Sequence, residues 1–324
     1  MIRYVIKRII QLIPVILCVA IVIFTILYFT PGDPVILILG DNPTPEQYAA
    51  KQAELGLDQP YLVQLGTFLR DFFLRGDLGT SYVLKTNIGP ELMRRLPRTA
   101  IIAAVCCLCQ VFIGIPLGVT AATHQNGIID RLCILLAMIG ISLPGFWVGL
   151  MLILYVTILP SYGIEHWYSY ILPCVANALM SVGSVTRMTR SQMLDVIRSD
   201  YVVTARAKGV PERKILYSHA LPNALIPIVT YVGTHFGRAL GGTVVIETVF
   251  SIPGVGYYMT QAIGNRDYPI VRSGVTLLAV IFCVVVLLVD ILYAYIDPRV
   301  KAQYEGSVKR KKAATPVKGV PVNG

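Results

Sequence analysis

Histidine and cysteine are the side chains here best suited to hold a metal or attack a carbonyl, and their spacing argues against both roles. His124, His166, His219 and His235 stand far apart, and neither HExxH nor GxSxG occurs, so a hydrolase would lack both a zinc pair and a nucleophile elbow. Cys106 and Cys109 make a CxxC spacing within AAVCCLCQVF, but no second pair or nearby histidine completes a tetrahedral site, and helix packing is the better reading. The other cysteines, Cys18, Cys107, Cys133, Cys174 and Cys283, also fall in or beside apolar runs and imply no disulfide framework. No GxxxxGK[ST] loop is present, so the sequence offers no cradle for the phosphates of ATP.

The elements that must carry whatever chemistry remains are strongly apolar. Hydrophobic residues make up 55% of the 324-residue chain and charged ones only 14%, with a mean hydropathy of +0.66. A soluble core has no need to exclude charge so thoroughly, whereas a membrane-spanning helix needs about 20 mainly apolar residues. Six stretches qualify: Ile9 to Phe29, Thr99 to Ala122, Leu132 to Leu159 with Pro144-Gly145 interrupting it, Ile171 to Val185, Ala224 to Phe250 and Ser273 to Ile296. The expected fold is therefore all-α and polytopic. The first run exceeds a signal-peptide core and no small-residue cleavage site follows it, so it reads as an uncleaved anchor.

Charge orients these spans. Arg3, Lys7 and Arg8 precede the first, Arg198, Arg206, Lys208, Arg213 and Lys214 follow the fourth, and Lys309 to Lys312 lie in the tail. The bias of Lys and Arg toward cytoplasmic loops then puts both termini on the cytoplasmic side. The expected organisation is 1–30 as N-terminus and first span, 31–98 as an extracytoplasmic loop domain, 99–298 as the membrane core with a cytoplasmic loop at 194–222, and 299–324 as a basic disordered tail that attracts lipid headgroups. Within 31–98, Tyr61, Leu62, Leu65, Phe68, Leu69 and Phe72 recur at helical spacing. They predict an amphipathic helix ending near Gly76 that either lies on the membrane or pore mouth, or packs against the spans. The net charge of +10 has this membrane explanation. Nucleic acid is not expected as a partner, because no soluble aromatic and basic platform exists.

Polar groups inside the spans are the candidates for a pathway, because a charged side chain at a helix centre costs about 2.5 to 3.5 kcal/mol on insertion scales. His235 and Arg238 share a face at i and i+3, with Gly233, Gly237, Gly241 and Gly242 around them to admit neighbouring helices. Arg238 either holds a carboxylate in transit or pairs with Glu247 or Asp290, and the structural pairing is the expectation. Gln110 and Asn177 either line the same cavity or bond between helices. Pro144-Gly145 and Pro227 mark places where helices can bend.

The most charged internal stretch, SDYVVTARAKGVPERKILYSHALPNALIP, predicts a helix, a sharp turn and a second helix. Ser199 or Asp200 caps the first helix, Gly209 ends it in a left-handed conformation, and Pro211-Glu212 opens a second running to about His219. Ala205 and Ala207 leave little side chain around the turn, so another protein can approach closely.

Thr204-Ala205, Gly209, a nine-residue gap and His219-Ala-Leu221-Pro222 resemble the EAA loop of ATP-binding-cassette import permeases, and TARAKG is similar to the peptide and nickel branch. The family pattern is Glu-Ala-Ala, three residues, Gly, nine residues and Ile-x-Leu-Pro. Ala205, Gly209, Leu221 and Pro222 match, while Val203 replaces Glu and His219 replaces Ile. The likeness extends to Pro31-Gly-Asp-Pro34, Leu55-Gly-Leu-Asp58, Gly76-Asp-Leu-Gly79, Glu247-Thr-Val-Phe250 and Asp267-Tyr-Pro269.

What the resemblance implies is a type I importer permease in a bacterial plasma (inner) membrane, a non-catalytic subunit. Its coupling loop would comprise Asp200, Tyr201, Thr204, Ala205, Arg206, Ala207, Lys208, Gly209, Leu221 and Pro222. The implied partners are a homologous second permease, two ATPase subunits that bind ATP and Mg, and an extracytoplasmic solute-binding protein. Short peptides are the implied cargo, with nickel or another metal chelate as the alternative. A self-contained ion-coupled transporter is the rival from another class, but it would show internal repeats and midplane carboxylates that the sequence lacks.

Overall fold

The computed structural model describes residues 2–40 and 42–296, and the 299–324 tail with Lys309 to Lys312 lies outside them. The chain starts with α1 (Ile2–Phe29), then three short helices, α2 (Pro34–Leu39), α3 (Pro45–Glu54) and α4 (Tyr61–Arg70). It continues through α5 (Ile88–Cys109), α6 (Ile115–Thr123), α7 (Ile128–Ser142), α8 (Gly145–Tyr155) and α9 (Ile171–Ile197). After α10 (Asp200–Ala207) and α11 (Glu212–Lys214) come α12 (Leu221–Val249), α13 (Val255–Gly264) and α14 (Tyr268–Ile296). Among the described residues there is no named strand, and an isolated antiparallel bridge pairs Thr80 with Asn87.

Five helical stretches are long and apolar enough to cross a bilayer: Val5–Phe29, Ile88–Thr123, Trp167–Ile197, Glu212–Gly241 and Tyr268–Leu292. The third expected span is two helices, α7 and α8, bent by 96°. Pro144 explains the break, because the residue before a proline is pushed out of the helical region, and Leu143 is extended at φ −86, ψ 123.

Proline acts differently where the helix can widen. A π-helical turn, Gln110–Gly114, joins α5 to α6 just before Pro116. A second, Ile215–Ala220, joins α11 to α12 just before Pro222. Each wider turn absorbs the missing N–H and the ring's clash with the preceding carbonyl, so the rod continues. The helix expected to stop near His219 therefore runs on into the fifth span.

Chain reversal at each span puts 198–214 at the end where α1 begins, and 30–87 and 250–267 at the other end. At this second end, Phe24 of α1, Phe68 and Phe72 of the α4 segment, Leu92 of α5 and Ile270 of α14 form one buried cluster. Withdrawing Phe68 or Phe72, which lie outside the spans, from water stabilises by about 1.5–3 kcal/mol each. The amphipathic helix thus packs against the spans: the Phe24 and Phe68 rings stack at 5.7 Å, and the Thr25 and Tyr61 hydroxyls bond at 2.7 Å. Leu62, on the expected apolar side, is instead 75% exposed.

Candidate functional site

The basic turn is built on two buried anchors. Val202 of α10 and Ile215 of the π-helical turn are both fully enclosed, whereas Tyr201 and Val203 on either side of Val202 are about half exposed. Below them Val119, Ala122, Met193, Leu194, Ala220 and Ala224 form the apolar floor. Ser199 holds the cap position through its backbone only, because its hydroxyl donates back to Val196 O at 2.6 Å; the side-chain cap expected there does not form.

Gly209 has φ +76. Its N–H donates to Arg206 O at 3.0 Å and the Val210 N–H donates to Ala205 O at 3.3 Å. This is the Schellman arrangement, in which a left-handed residue lets two amides satisfy the last carbonyls of the helix. Across the turn, Arg206 Nε and Nη2 donate to the two oxygens of Glu212 at 3.0 and 2.6 Å. The guanidinium's hydrogen bonds hold the Glu212 carboxyl below its usual range. Asn223 Nδ2 donates to Tyr201 Oη at 3.0 Å and to His219 O at 2.9 Å, tying α10 to the start of α12. Thr204, Arg206, Ala207, Lys208, Gly209 and Pro222 are exposed, while Ala205 and Leu221 are half-buried. Asp200 O accepts from Thr204 Oγ1 at 2.8 Å. The result is a compact, small-surfaced knob with a basic rim.

The polar residues within the spans separate into two places. Gln110 is fully buried; its Nε2 reaches Cys106 Sγ at 3.6 Å, and that thiol donates to Asn177 O at 3.7 Å. Among the described residues neither Gln110 Oε1 nor Asn177 Nδ2 has a hydrogen-bond partner. Gln110 is thus enclosed between helices in this conformation rather than lining an open cavity, and His235 and Arg238 lie elsewhere, on α12.

The pairings expected for Arg238 do not form. Asp290 pairs with Arg8 at 3.1 Å, and Glu247 is enclosed by hydroxyl and amide donors. Arg238 is exposed on the isolated chain, and His235 is half-buried against Tyr231, their rings 4.7 Å apart. The glycines do admit a neighbour, but on the other side of the helix. A side chain on Gly233 would run into Val289, and one on Gly237 into Phe282, both of α14. Residues two apart on a helix point some 200° apart, so α14 takes one face and His235 and Arg238 keep the other.

Two buried carboxylates have partners that the sequence did not announce. Glu247 accepts from Thr99 Oγ1 at 2.6 Å, Thr243 Oγ1 at 3.1 Å and Tyr257 N at 3.0 Å, while Thr99 Oγ1 accepts from Val255 N at 3.0 Å. Together they satisfy amides in the first turn of α13 that no intrahelical carbonyl can reach. Asp267 accepts from Ser81 Oγ at 2.5 Å, Tyr82 N at 3.0 Å and Val83 N at 3.4 Å. A third carboxylate, Asp130, takes both arms of Arg190 at 2.6 Å and fastens α7 to α9.

A bundle of kinked apolar helices with a Gly-stopped basic knob at one end is the architecture of a polytopic membrane protein. Comparison with known proteins gives the family. Residues 114–302 match the model of the binding-protein-dependent transport system inner membrane component, and residues 1–103 match that of its N-terminal part. The chain belongs to this family, the permeases of ATP-binding-cassette importers, and is a multi-pass membrane subunit. It is similar to the dipeptide transport system permease protein DppB of Alkalihalophilus pseudofirmus, 38% identical with 93% of this chain and 100% of the relative covered. It is also similar to the glutathione transport system permease protein GsiC of Salmonella paratyphi A, 38% identical over 93% and 99%. Among solved structures, the MetNI methionine transporter in an inward-facing conformation shares the fold, with a TM-score of 0.56 at 20% identity over 64% of this chain and 96% of that one.

Proposed function

We propose that this chain forms half of a translocation pathway for short peptides and is driven by ATPase subunits that grip the knob from Asp200 to Pro222. The observation that carries the coupling role is the pairing of enclosed Val202 and Ile215 with exposed Tyr201 and Val203 around a Gly209-locked turn. Such a knob transmits force because its inner side is packed and its outer side is free. Peptide cargo is supported by relatives whose names specify dipeptide and glutathione transport, each similar along nearly its full length. That support favours peptides over a metal chelate.

In this reading the end bearing Arg8, Arg206, Lys208, Arg213 and Lys214 is cytoplasmic, as basic loops favour, and residues 31–98 face outward. The exposed face of α12 with His235 and Arg238 turns toward a second, homologous permease. A solute-binding protein delivers cargo from outside, and ATP and Mg act on the partner subunits while this chain performs no chemistry.

The test is Gly209→Val. Nothing lies within 4 Å of a side chain placed there, so the penalty comes from the backbone alone, about 1–2 kcal/mol for an L-residue held left-handed. The variant is expected to insert normally, lose most of its co-purifying ATPase and lose uptake. Retention of both would remove the coupling assignment.

A further inference from the structure

Arg272, near the start of α14, is not explained by the coupling knob or by the face of α12. Its guanidinium carbon sits 5.7 Å from the Phe24 ring centre and 5.1 Å from that of Phe68. Among the described residues no salt bridge pairs it with a carboxylate, whereas Lys51 and Arg95 at the same end are paired with Glu54 and Glu91. Aromatic faces hold such a cation in place without neutralising it, and a half-buried guanidinium left unneutralised keeps its capacity to take a carboxylate with two parallel hydrogen bonds.

Arg272 lines a cavity of about 300 Å³ between the top of α1 and the 31–87 segment. At another wall stands Asp33. Its Oδ1 accepts from Val35 N at 2.8 Å and its Oδ2 from Tyr48 Oη at 2.6 Å, which leaves a lone pair free on each oxygen. The hydrogen bond to Asp33 raises the Tyr48 phenol, so Tyr48 remains a donor that fixes the carboxylate. Tyr28, Tyr82 and Gln64 complete the lining with apolar faces and hydrogen-bonding tips. Burial raises the Tyr82 phenol while nearby Arg272 pulls it the other way.

We infer that this cavity binds a small zwitterion of dipeptide size, its carboxylate on Arg272 and its ammonium on Asp33. The volume lies at the small end of the range for ligand pockets, about 300–1,000 Å³, which is room for a dipeptide. An anion alone would leave Asp33 as a repulsive neighbour, and a cation alone would meet Arg272. One molecule carrying both charges satisfies both walls. The choice of a peptide probe rests on the proposed transport role; the charge pattern of the cavity does not.

The experiment is calorimetric titration of the detergent-purified complex, without its binding protein, with L-alanyl-L-alanine, its N-acetyl derivative and its C-terminal amide. Each capped analogue is expected to bind about tenfold more weakly than the zwitterion, the loss of one charge-assisted contact. Arg272→Met should weaken the zwitterion to the same extent and leave the amide unaffected, and Arg272→Lys should recover part of the loss. Asp33→Asn keeps the helix cap, since Asn caps as well as Asp, and should abolish discrimination against the N-acetyl form alone. This end-specific coupling is what a merely structural role would not produce.

No saturable binding of dialanine, or equal affinity for all three ligands in every variant, overturns the inference. So does occupancy by phosphatidylethanolamine in nanodiscs that dialanine fails to displace. Uptake of labelled dialanine is measured in parallel. Uptake without binding at the cavity removes this inference and leaves the permease reading, whereas binding without uptake removes the peptide reading and leaves the cavity.

Discussion

At the end carrying residues 250–267, Glu247 is fully buried and Asp267 is 1% exposed; each receives three donors, all of them distant in sequence for Asp267 and one of them, Thr99, for Glu247. At the opposite end, the turn from 198 to 214 is closed by Arg206 and Glu212, whose side chains are 45% and 54% exposed. A buried carboxylate holds its neighbours rigidly, because any donor it releases is left unpaired in a medium without water. A surface pair can exchange its partner for solvent at little cost. The contrast assigns the two ends different mechanical tasks. One is a fixed platform that orients α13, the 77–87 segment and α14, and the other is a knob whose outer contacts remain available to a partner.

The largest effect that would break this contrast is expected at Glu247. Glu247→Ala strands the Tyr257 amide and the Thr99 hydroxyl and leaves a void, at a cost of about 3 kcal/mol. Thermal unfolding of the detergent-purified chain should show a clear fall in midpoint. Thr99→Ala should show a smaller one, since it removes the acceptor for Val255 N but leaves the Tyr257 contact. If Glu247→Ala unfolds with the wild type, burial of this carboxylate is not what fixes the platform.

Asp267 sharpens the same point locally. Asp267→Ala frees Ser81 Oγ and the amides of Tyr82 and Val83, a loss of about 2 kcal/mol. The effect should concentrate in the 80–87 segment, which becomes open to limited proteolysis while the spans stay protected. Cleavage spread evenly along the chain would mean that Asp267 supports the whole bundle instead.

Much of this architecture could be read from composition, and the failures have a common cause. The apolar runs located the spans because a bilayer leaves few alternatives, Pro144 located the break, and Gly209 announced its own left-handed turn. The sequence did not separate Val202 from Val203, because burial there depends on which side of α10 meets Ile215. It also misassigned Arg238: the acids expected to pair with it, Glu247 and Asp290, are taken by Thr99 and Arg8, respectively 148 residues away from Glu247 and at the far end of the chain from Asp290. Ser199 looked like a cap because its type is right, yet its hydroxyl turned back to Val196. The helix opened by Pro211-Glu212 was expected to end near His219, yet a widened turn carries it on past Pro222. In each case the local rule was sound and a tertiary contact or a neighbouring turn overrode it.

The smallest expected effect belongs to the knob. Hydrogen bonds from Arg206 lower the Glu212 carboxyl, so in the folded state this group holds its charge to lower pH than in the unfolded chain. A depressed carboxylate contributes stability that is complete above its unfolded value, about 4.3, and is lost as pH falls through the folded value. Glu212→Gln should therefore differ slightly from wild type at pH 7, and the difference should vanish in acid below the ordinary carboxylate range. It should also shrink in 1 M salt, where the screening length falls to about 3 Å. Amide exchange at Gly209 and Val210, which close the turn, is the local readout, and it should quicken in the variant at neutral pH only. A difference that persists unchanged in acid and in salt would show that Glu212 acts through packing, and the knob would then share the rigid character of the opposite end.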